Sequence, residues 1–189
     1  MAKNAAPIDI ATMSLAQIAQ AVADKRLPPV DQWNPPHCGH SMMQIKPDGT
    51  WFHEGSPIGR AAMVKLFSTI LRREPDGGYV LVTPVEKLDI DVDDVPFIAV
   101  EVNSEGEGAG RRLAFRTNVD DVVIAGQNNP LRFAEAGDGP RPYVMVRNGL
   151  EARIARPVYY ELAQMALDDG HDPIGIWSDG AFFPLEPDA

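Results

Sequence analysis

The stretch DGTWFHEGSPIGR, residues 48–60, runs directly into AAMVKLFSTIL, residues 61–71, and the rest of the chain is organised around it. The Asp-Gly pair at 48–49 and the Gly-Ser-Pro at 55–57 are both turn signals. The stretch therefore predicts a strand, a tight turn, a short return strand and a helix from about residue 60 to residue 71. Because apolar residues occupy most sides of that helix, we expect it to be largely buried between layers.

The same order of elements recurs near the C-terminus. Residues 143–146 predict a strand, Asn148-Gly149 a hairpin turn, and residues 151–154 the return strand. Pro157 suits the first turn of the helix that follows, because its backbone dihedral is already helical. Two further matches support a duplication: Ile58-Gly59-Arg60 aligns with Ile154-Ala155-Arg156, and residues 79–83 align with residues 174–178. The identities are few, so we infer a structural duplication rather than a strong sequence repeat.

The whole chain reads as an α+β protein with two related small domains, each built on a strand hairpin, a helix and a strand. A helix over residues 14–23 and an extended arm make up an N-terminal region at 1–40. An α+β repeat follows at 41–84. A β-rich domain that ends in a helix and short strands occupies 85–189. Apolar and acidic residues alternate from Leu88 to Asp93, which predicts a strand with one wet face.

Composition limits the classes of partner. The 189 residues carry a formal net charge of -10, which argues against a nucleic-acid polymer and against acidic membrane surfaces as partners. No apolar run approaches the roughly 20 residues that span a bilayer. Cys38 is the only cysteine, so no intramolecular disulfide can form. These features favour a soluble protein of the bacterial cytoplasm or an equivalent reducing compartment.

Three clusters suggest metal or cofactor chemistry, and each has a simpler interpretation. His37-Cys38-Gly39-His40 contains zinc ligands, but no second pair follows at a standard spacing, so we interpret it as a structural turn. The acids from Asp89 onward lack the glycine and glutamate of a calcium loop. The glycine-rich segment 103–110 precedes a predicted strand rather than a helix, which favours a hairpin loop over a phosphate cradle. We expect no metal and no cofactor.

Arg60 and Arg156 each stand at the predicted start of a helix, where unpaired backbone N–H groups already make the helix end electropositive. A cation at such a position calls for a compensating anion. One source is a carboxylate of the protein, for which Glu86, Asp94 and Glu151 are candidates. The other source is a phosphate or carboxylate of a bound ligand.

Further candidate ligand-binding residues come from the segment between the two predicted halves. Thr83, Glu86 and Lys87 offer a hydroxyl, an acceptor and a donor there, and interfaces between domains are favoured ligand sites. A linker rich in polar residues is the alternative interpretation. Arg147 and Arg153 complete the candidate set, because arginine suits bidentate recognition of phosphate or carboxylate. Codon bias in a GC-rich genome would also explain the abundance of arginine.

Three stretches resemble the bacterial "domain of unknown function 1285" family: residues 48–58 with Arg60, residues 81–87 with 94–97, and residues 147–153 with Arg156. The resemblance extends from Trp33 over nearly the whole remaining chain. It implies a duplicated α+β core, with a barrel-like C-terminal domain superficially like pleckstrin-homology folds. It also implies a nucleotide-like ligand in a cleft between the domains and a role in signalling. It implies no catalytic residue.

These observations lead to one main functional hypothesis and two alternatives. The main hypothesis is a non-catalytic regulatory protein that binds a small anionic, nucleotide-like ligand between its two halves. The first alternative is a protein–protein adaptor that uses the barrel-like C-terminal domain. The second is an enzyme with a nonstandard site, although no nucleophile, base and orienting group can be identified as a set.

Overall fold

The computed structural model describes residues 27–186 together with Ser14, Gln17 and Gln20. Most of the helix expected at 14–23 lies outside the described residues, but Ser14 and Gln17 form the reciprocal hydrogen bonds of a helix N-cap. The Gln17 N–H donates to Ser14 Oγ (3.3 Å), and the Ser14 N–H donates to Gln17 Oε1 (2.9 Å). After a 3-10 turn at Val30–Gln32, the described chain forms fourteen strands and two helices. Among the described residues, no helix is long and apolar enough to cross a membrane.

The first sheet has six strands in the order β3-β2-β1-β6-β5-β4. Their ranges are β1 His37–Ile45, β2 Trp51–His53, β3 Ser56–Pro57, β4 Leu71–Arg73, β5 Tyr79–Val82 and β6 Lys87–Val92. β1 and β6 pair in parallel, and the other neighbours pair antiparallel. The first unit therefore extends to Val92, past the boundary that we expected after residue 84. The polar segment at 83–86 is a turn within this sheet, because it leads β5 directly into β6.

One local expectation for the first sheet was wrong. His37-Cys38-Gly39-His40, interpreted as a turn, is the start of β1, and the pairing of β1 with β6 is irregular at His37 and His40. The acidic strand β6 has a buried Ile90 and an exposed Asp91, as expected for a strand with one wet face. His37 and His40 of β1 face the carboxylates of β6. His37 Nε2 lies 2.9 Å from Asp89 Oδ2, so the acids of β6 pair with β1.

The first helix, α1, spans Ala61–Thr69 and ends two residues earlier than predicted. The chain then forms β4, which pairs with β5 in a hairpin. We expected a largely buried helix, and this was wrong: Ser68 is its one buried residue, and Leu66 is 63% exposed. α1 covers the first sheet with a single side, on which the Phe67 ring stacks on Trp51 with centroids 6.4 Å apart.

The second sheet is a half-barrel of six strands in the order β10-β11-β12-β7-β8-β9. Their ranges are β7 Phe97–Glu105, β8 Arg112–Thr117, β9 Val122–Ile124, β10 Leu131–Ala136, β11 Gly139–Arg147 and β12 Leu150–Ile154. The glycine-rich segment is the β7–β8 hairpin loop, which confirms that prediction. Helix α2, Arg156–Asp169, follows β12, and the hairpin of β13 Gly175–Ser178 and β14 Ala181–Pro184 closes the fold.

Local sequence signals explain why α2 begins and ends where it does. Pro157 lies in its first turn, as predicted. Val158, Leu162 and Ala166 recur at four-residue spacing and form its buried face. Gly170 then adopts the left-handed conformation (φ 66°), and its N–H donates to the Ala166 carbonyl, which ends the helix.

The two units share one continuous hydrophobic core. Ile45, Trp51 and Leu71 of the first unit belong to the same buried cluster as Phe97 and Leu113 of the second. The fold is thus α+β with two related domains, as the sequence predicted. Because the core is continuous, the segment between β6 and β7 joins domains that are packed together.

Candidate functional site

A cleft opens at the start of α2, and we call it the α2 cleft. It has a volume of about 340 Å³ and is lined by Asp48, Ile98, Asp138, Pro140, Arg141, Pro142, Arg153, Ile154, Ala155, Arg156 and Tyr159. Asp48 comes from the β1–β2 turn of the first domain, and all the other residues come from the second domain. The cleft therefore lies where the first domain meets the second.

Strand pairing places two arginines on one wall of the α2 cleft. Arg153 of β12 lies between its cross-strand partners, Tyr143 on β11 and Ile98 on β7. Arg141 is two residues from Tyr143, so its side chain leaves β11 on the same face. β12 ends one residue after Arg153, and α2 begins at Arg156. The strand ladder and the helix start thus bring three guanidinium groups to one opening.

Two carboxylates face these arginines, and both are held in the ionised form. The Thr50 N–H donates to Asp48 Oδ1 (2.9 Å), and this hydrogen bond is the main reason that the pKa of Asp48 is lowered. The pKa of Asp138 is lowered chiefly by its own backbone N–H and then by Arg141, whose Nη2 lies 3.3 Å from Asp138 Oδ1. The lining therefore carries three positive and two negative charges.

The arginines of the cleft differ in how fully they are neutralised. Arg153 Nη1 lies 3.6 Å from Asp94 Oδ2, which is a weak ion pair and too long for a hydrogen bond. Arg156 is exposed and forms neither a hydrogen bond nor an ion pair within the described part of the chain. In addition, no side chain caps the start of α2. The cation and the helix end that it occupies are both available to an external anion.

Arg147, another predicted ligand-binding residue, is instead an internal tie between the domains. It donates to the Ser68 carbonyl at the end of α1 (2.8 Å) and pairs with Asp121, while its guanidinium lies over the Phe97 ring. Burial lowers the pKa of Arg147 to about 10, which leaves it charged at neutral pH. Of the carboxylates considered as partners, Glu151 pairs with Arg132 (2.8 Å) rather than with a helix-start arginine.

The structure does not bring Thr83, Glu86 and Lys87 to the α2 cleft. The Thr83 hydroxyl accepts the Glu86 N–H (3.2 Å) within the β5–β6 turn, and Lys87 Nζ lies 3.3 Å from Oε2 of Glu74, which directly follows β4. Arg60 is exposed at the start of α1 and does not line the cleft either. Of the seven predicted ligand-binding residues, Arg153 and Arg156 meet in the α2 cleft.

Comparison with known proteins identifies the family. The model for "Domain of unknown function (DUF1285), N-terminal domain" matches residues 28–95, and the model for "Protein of unknown function (DUF1285), C-terminal domain" matches residues 96–185. The chain belongs to the DUF1285 family. The boundary between the two DUF1285 domains falls in the segment that joins β6 to β7, in agreement with the strand pairing.

Two solved DUF1285 structures resemble the chain. A DUF1285 family protein from Silicibacter pomeroyi DSS-3 is 46% identical, with a TM-score of 0.81 over 90% of this chain and 94% of that one. A DUF1285 family protein from Shewanella baltica OS155 is 24% identical, with a TM-score of 0.53 over 69% of this chain and 98% of that one, and this likeness concerns the fold alone. No curated protein matches the chain.

Sequence reasoning missed Asp48, Asp138 and Arg141 as lining residues of this DUF1285 cleft. Asp48 was assigned only to a turn, and its approach to the second domain depends on long-range packing. Arg141 can be recognised once β11 is paired with β12. It then lies on the same face of the sheet as Tyr143, which is the cross-strand partner of Arg153. No three His, Cys, Asp or Glu side chains gather into a possible metal site within the described residues.

Proposed function

We propose that the α2 cleft binds a small anionic ligand of the nucleotide-like type and that the protein acts as a non-catalytic regulator. The observation that carries the proposal is Arg156: it is a guanidinium at an uncapped helix start, within a cleft that also contains Arg141 and Arg153. A phosphate group fits such a site, because arginine donates in a planar fork and helix N–H groups favour negative charge.

The size and lining of the cleft support a small molecule rather than a polymer. Its volume of about 340 Å³ lies at the lower end of the range for small-molecule pockets. Asp48 and Asp138, both ionised, accept hydrogen bonds and so favour a ligand that carries hydroxyl groups beside its anionic group. A ribose or sugar phosphate combines these two features.

Binding rather than catalysis is favoured by the types of side chain in the cleft. Among the described residues, the lining includes three arginines, two aspartates and one tyrosine, but no Ser, Cys, His or Lys. The two aspartates have lowered pKa values, which makes them weak bases at neutral pH. The regulatory role and a cytoplasmic location belong to this proposal. The single cysteine, Cys38, suits a reducing compartment.

A thermal-shift screen tests the proposal. The panel contains nucleoside mono-, di- and triphosphates and sugar phosphates, with the matching uncharged nucleosides and sugars as controls. A ligand at a hundredfold excess over its dissociation constant should stabilise the protein by about 2.7 kcal/mol. We expect stabilisation by some phosphorylated members and by none of the uncharged ones. A panel without any stabilising member, or one in which nucleosides and nucleotides stabilise equally, would count against an anion site.

A protein–protein adaptor is the second candidate function, and the outer face of α2 favours it. Tyr160 is 61% exposed and Leu167 is 57% exposed on that helix. Large apolar side chains at a protein surface can belong to a contact with another protein. A partner recovered by wild-type protein and by an Arg156→Ala variant, but lost with Tyr160→Ser and Leu167→Ser together, would support this role.

A further inference from the structure

The α2 cleft contains a carboxylate that already occupies one of its arginines. Asp138 lies in the turn between β10 and β11, and its side chain is 64% exposed. Arg141 Nη2 donates to Asp138 Oδ1 (3.3 Å) across the tip of this hairpin. Exposed ion pairs of this kind add little to stability, so the contact can open without disturbing the fold.

The same carboxylate is also influenced by the arginine at the start of α2. The pKa of Asp138 is lowered first by its own backbone N–H, then by Arg141, and more weakly by the charge of Arg156. Asp138 therefore supplies negative charge to two of the three arginines that line the cleft. A phosphate group would use the donors of these same guanidinium groups.

The other aspartate of the cleft is held in a different way. Asp48 Oδ1 accepts the Thr50 N–H (2.9 Å) inside the β1–β2 turn, and this hydrogen bond leaves the arginine side chains unused. An anion that binds Arg141 thus has to replace Asp138, whereas it does not have to replace Asp48.

The turn that carries Asp138 has room to move. Glycines flank Asp138 on both sides, and a Cβ built on Gly137 or on Gly139 meets no atom within 4 Å. Because glycine is conformationally permissive, both ends of the turn can rotate and carry the carboxylate away from Arg141. No neighbouring side chain has to be displaced at these two positions.

We propose that Asp138 is an internal competitor for the anion site of the α2 cleft. The anionic group of the ligand replaces the Asp138 carboxylate on Arg141, and the turn at residues 137–138 moves aside. The released carboxylate is then free to accept a hydrogen bond from a hydroxyl group of the ligand. This regulation rests on the function proposed above: it lowers the affinity of the cleft and couples binding to the β10–β11 hairpin.

Isothermal titration of the full chain with sodium pyrophosphate tests the competitor. Asp138→Asn should bind about three- to tenfold more tightly than wild type, because it frees Arg141 and removes a like charge near the bound anion. Asp48→Asn removes a like charge without freeing an arginine, so its gain should be smaller. Glu107→Gln, which changes an exposed residue outside the cleft, should bind like wild type.

The Arg141→Gln background makes the test specific to the contact. There Asp138→Asn has no arginine to free, so we expect a smaller gain in affinity than in wild type. An unchanged affinity in Asp138→Asn, or the same gain with and without Arg141, would overturn the competitor and leave the anion site in place. Failure of pyrophosphate to bind either wild type or Asp138→Asn would contradict the anion site and its competitor together.

Discussion

Replacing Gly49 with alanine should destabilise the protein by about 2 to 5 kcal/mol. Gly49 has φ +83°, and a left-handed conformation costs a residue with a Cβ about 1–2 kcal/mol. In addition, its Cβ would lie 2.8 Å from Asn118 Nδ2 and 2.9 Å from Ile98 Cγ1, and overpacking of this kind costs about 1–3 kcal/mol. Asn118 cannot move away easily, because its Oδ1 accepts the Ile98 N–H (3.0 Å) and its own N–H donates to the Ile98 carbonyl (2.8 Å).

Gly55→Ala separates the two contributions. Gly55 has φ +78°, but a Cβ there meets no atom within 4 Å, so only the conformational cost of about 1–2 kcal/mol applies. Urea denaturation of both variants, followed by circular dichroism, gives the two free energies of unfolding. Gly49→Ala should be the less stable variant by about 1–3 kcal/mol. Equal losses of unfolding free energy in the two variants would refute the inference that the β1–β2 turn packs closely against Asn118 and Ile98 of the second domain.

Arg147→Met should destabilise the protein by about 3–5 kcal/mol, because it removes the guanidinium that neutralises the buried Asp121. In the same urea denaturation, the variant Arg112→Met, which removes an exposed ion pair, should lose no more than about 1 kcal/mol of unfolding free energy. Equal losses in the two variants would contradict the conclusion that Arg147 ties the two domains together. Burial, reinforced by the hydrogen bond to Asp94, raises the pKa of Tyr143 above its unfolded value of about 10. Its contribution to stability is therefore complete below pH 10 and is lost as the pH rises through the higher folded pKa. In denaturation curves from pH 8 to 11.5, Tyr143→Phe should reduce this alkaline loss, whereas Tyr160→Phe, on the exposed face of α2, should not.

The second unit could be predicted well because its signals are local. Asn148 and Gly149 have φ 45° and 80°, which is the conformation that an Asn-Gly hairpin turn requires. Pro157 and Gly170 bracket α2 for equally local reasons. Such signals depend on the backbone preferences of single residues and need no knowledge of distant partners.

The first unit was harder because its pairing is long-range. β6 joins the first sheet by lying parallel to β1, some fifty residues earlier in the chain, and no local pattern indicates that choice. For the same reason, Thr83, Glu86 and Lys87 were predicted to lie between the two halves as ligand-binding candidates, whereas they lie at the β5–β6 connection of the first sheet. β4 was missed because its first residue, Leu71, continues the apolar run of α1, and Arg72 and Arg73 show no strand pattern. The segment becomes a strand only by pairing with β5. Tertiary pairing overrides the local pattern at these positions.

Only part of the candidate site could be predicted from the sequence, for the same reason. Arg156 could be found from the repeat, since its position at a helix start is a local property. Asp48 and Arg141 reach the cleft only after the turn docks on the second domain and β11 pairs with β12. Arg147 looked equivalent to Arg153 in sequence, and the difference between a buried tie and a cleft residue arises from packing.

The most direct test of the α2 cleft compares the two arginines that the duplication places at equivalent helix starts. Isothermal titration with the phosphorylated ligand that stabilises the protein most would be run on wild type, Arg156→Gln and Arg60→Gln. Both arginines are exposed, and Arg156 lines the α2 cleft whereas Arg60 does not. Losing a charge-assisted hydrogen bond of about 1.5–3 kcal/mol should weaken binding to Arg156→Gln by about ten- to a hundredfold. Arg60→Gln should bind like wild type. Unchanged affinity in Arg156→Gln, or equal losses in the two variants, would contradict an anion site in the α2 cleft.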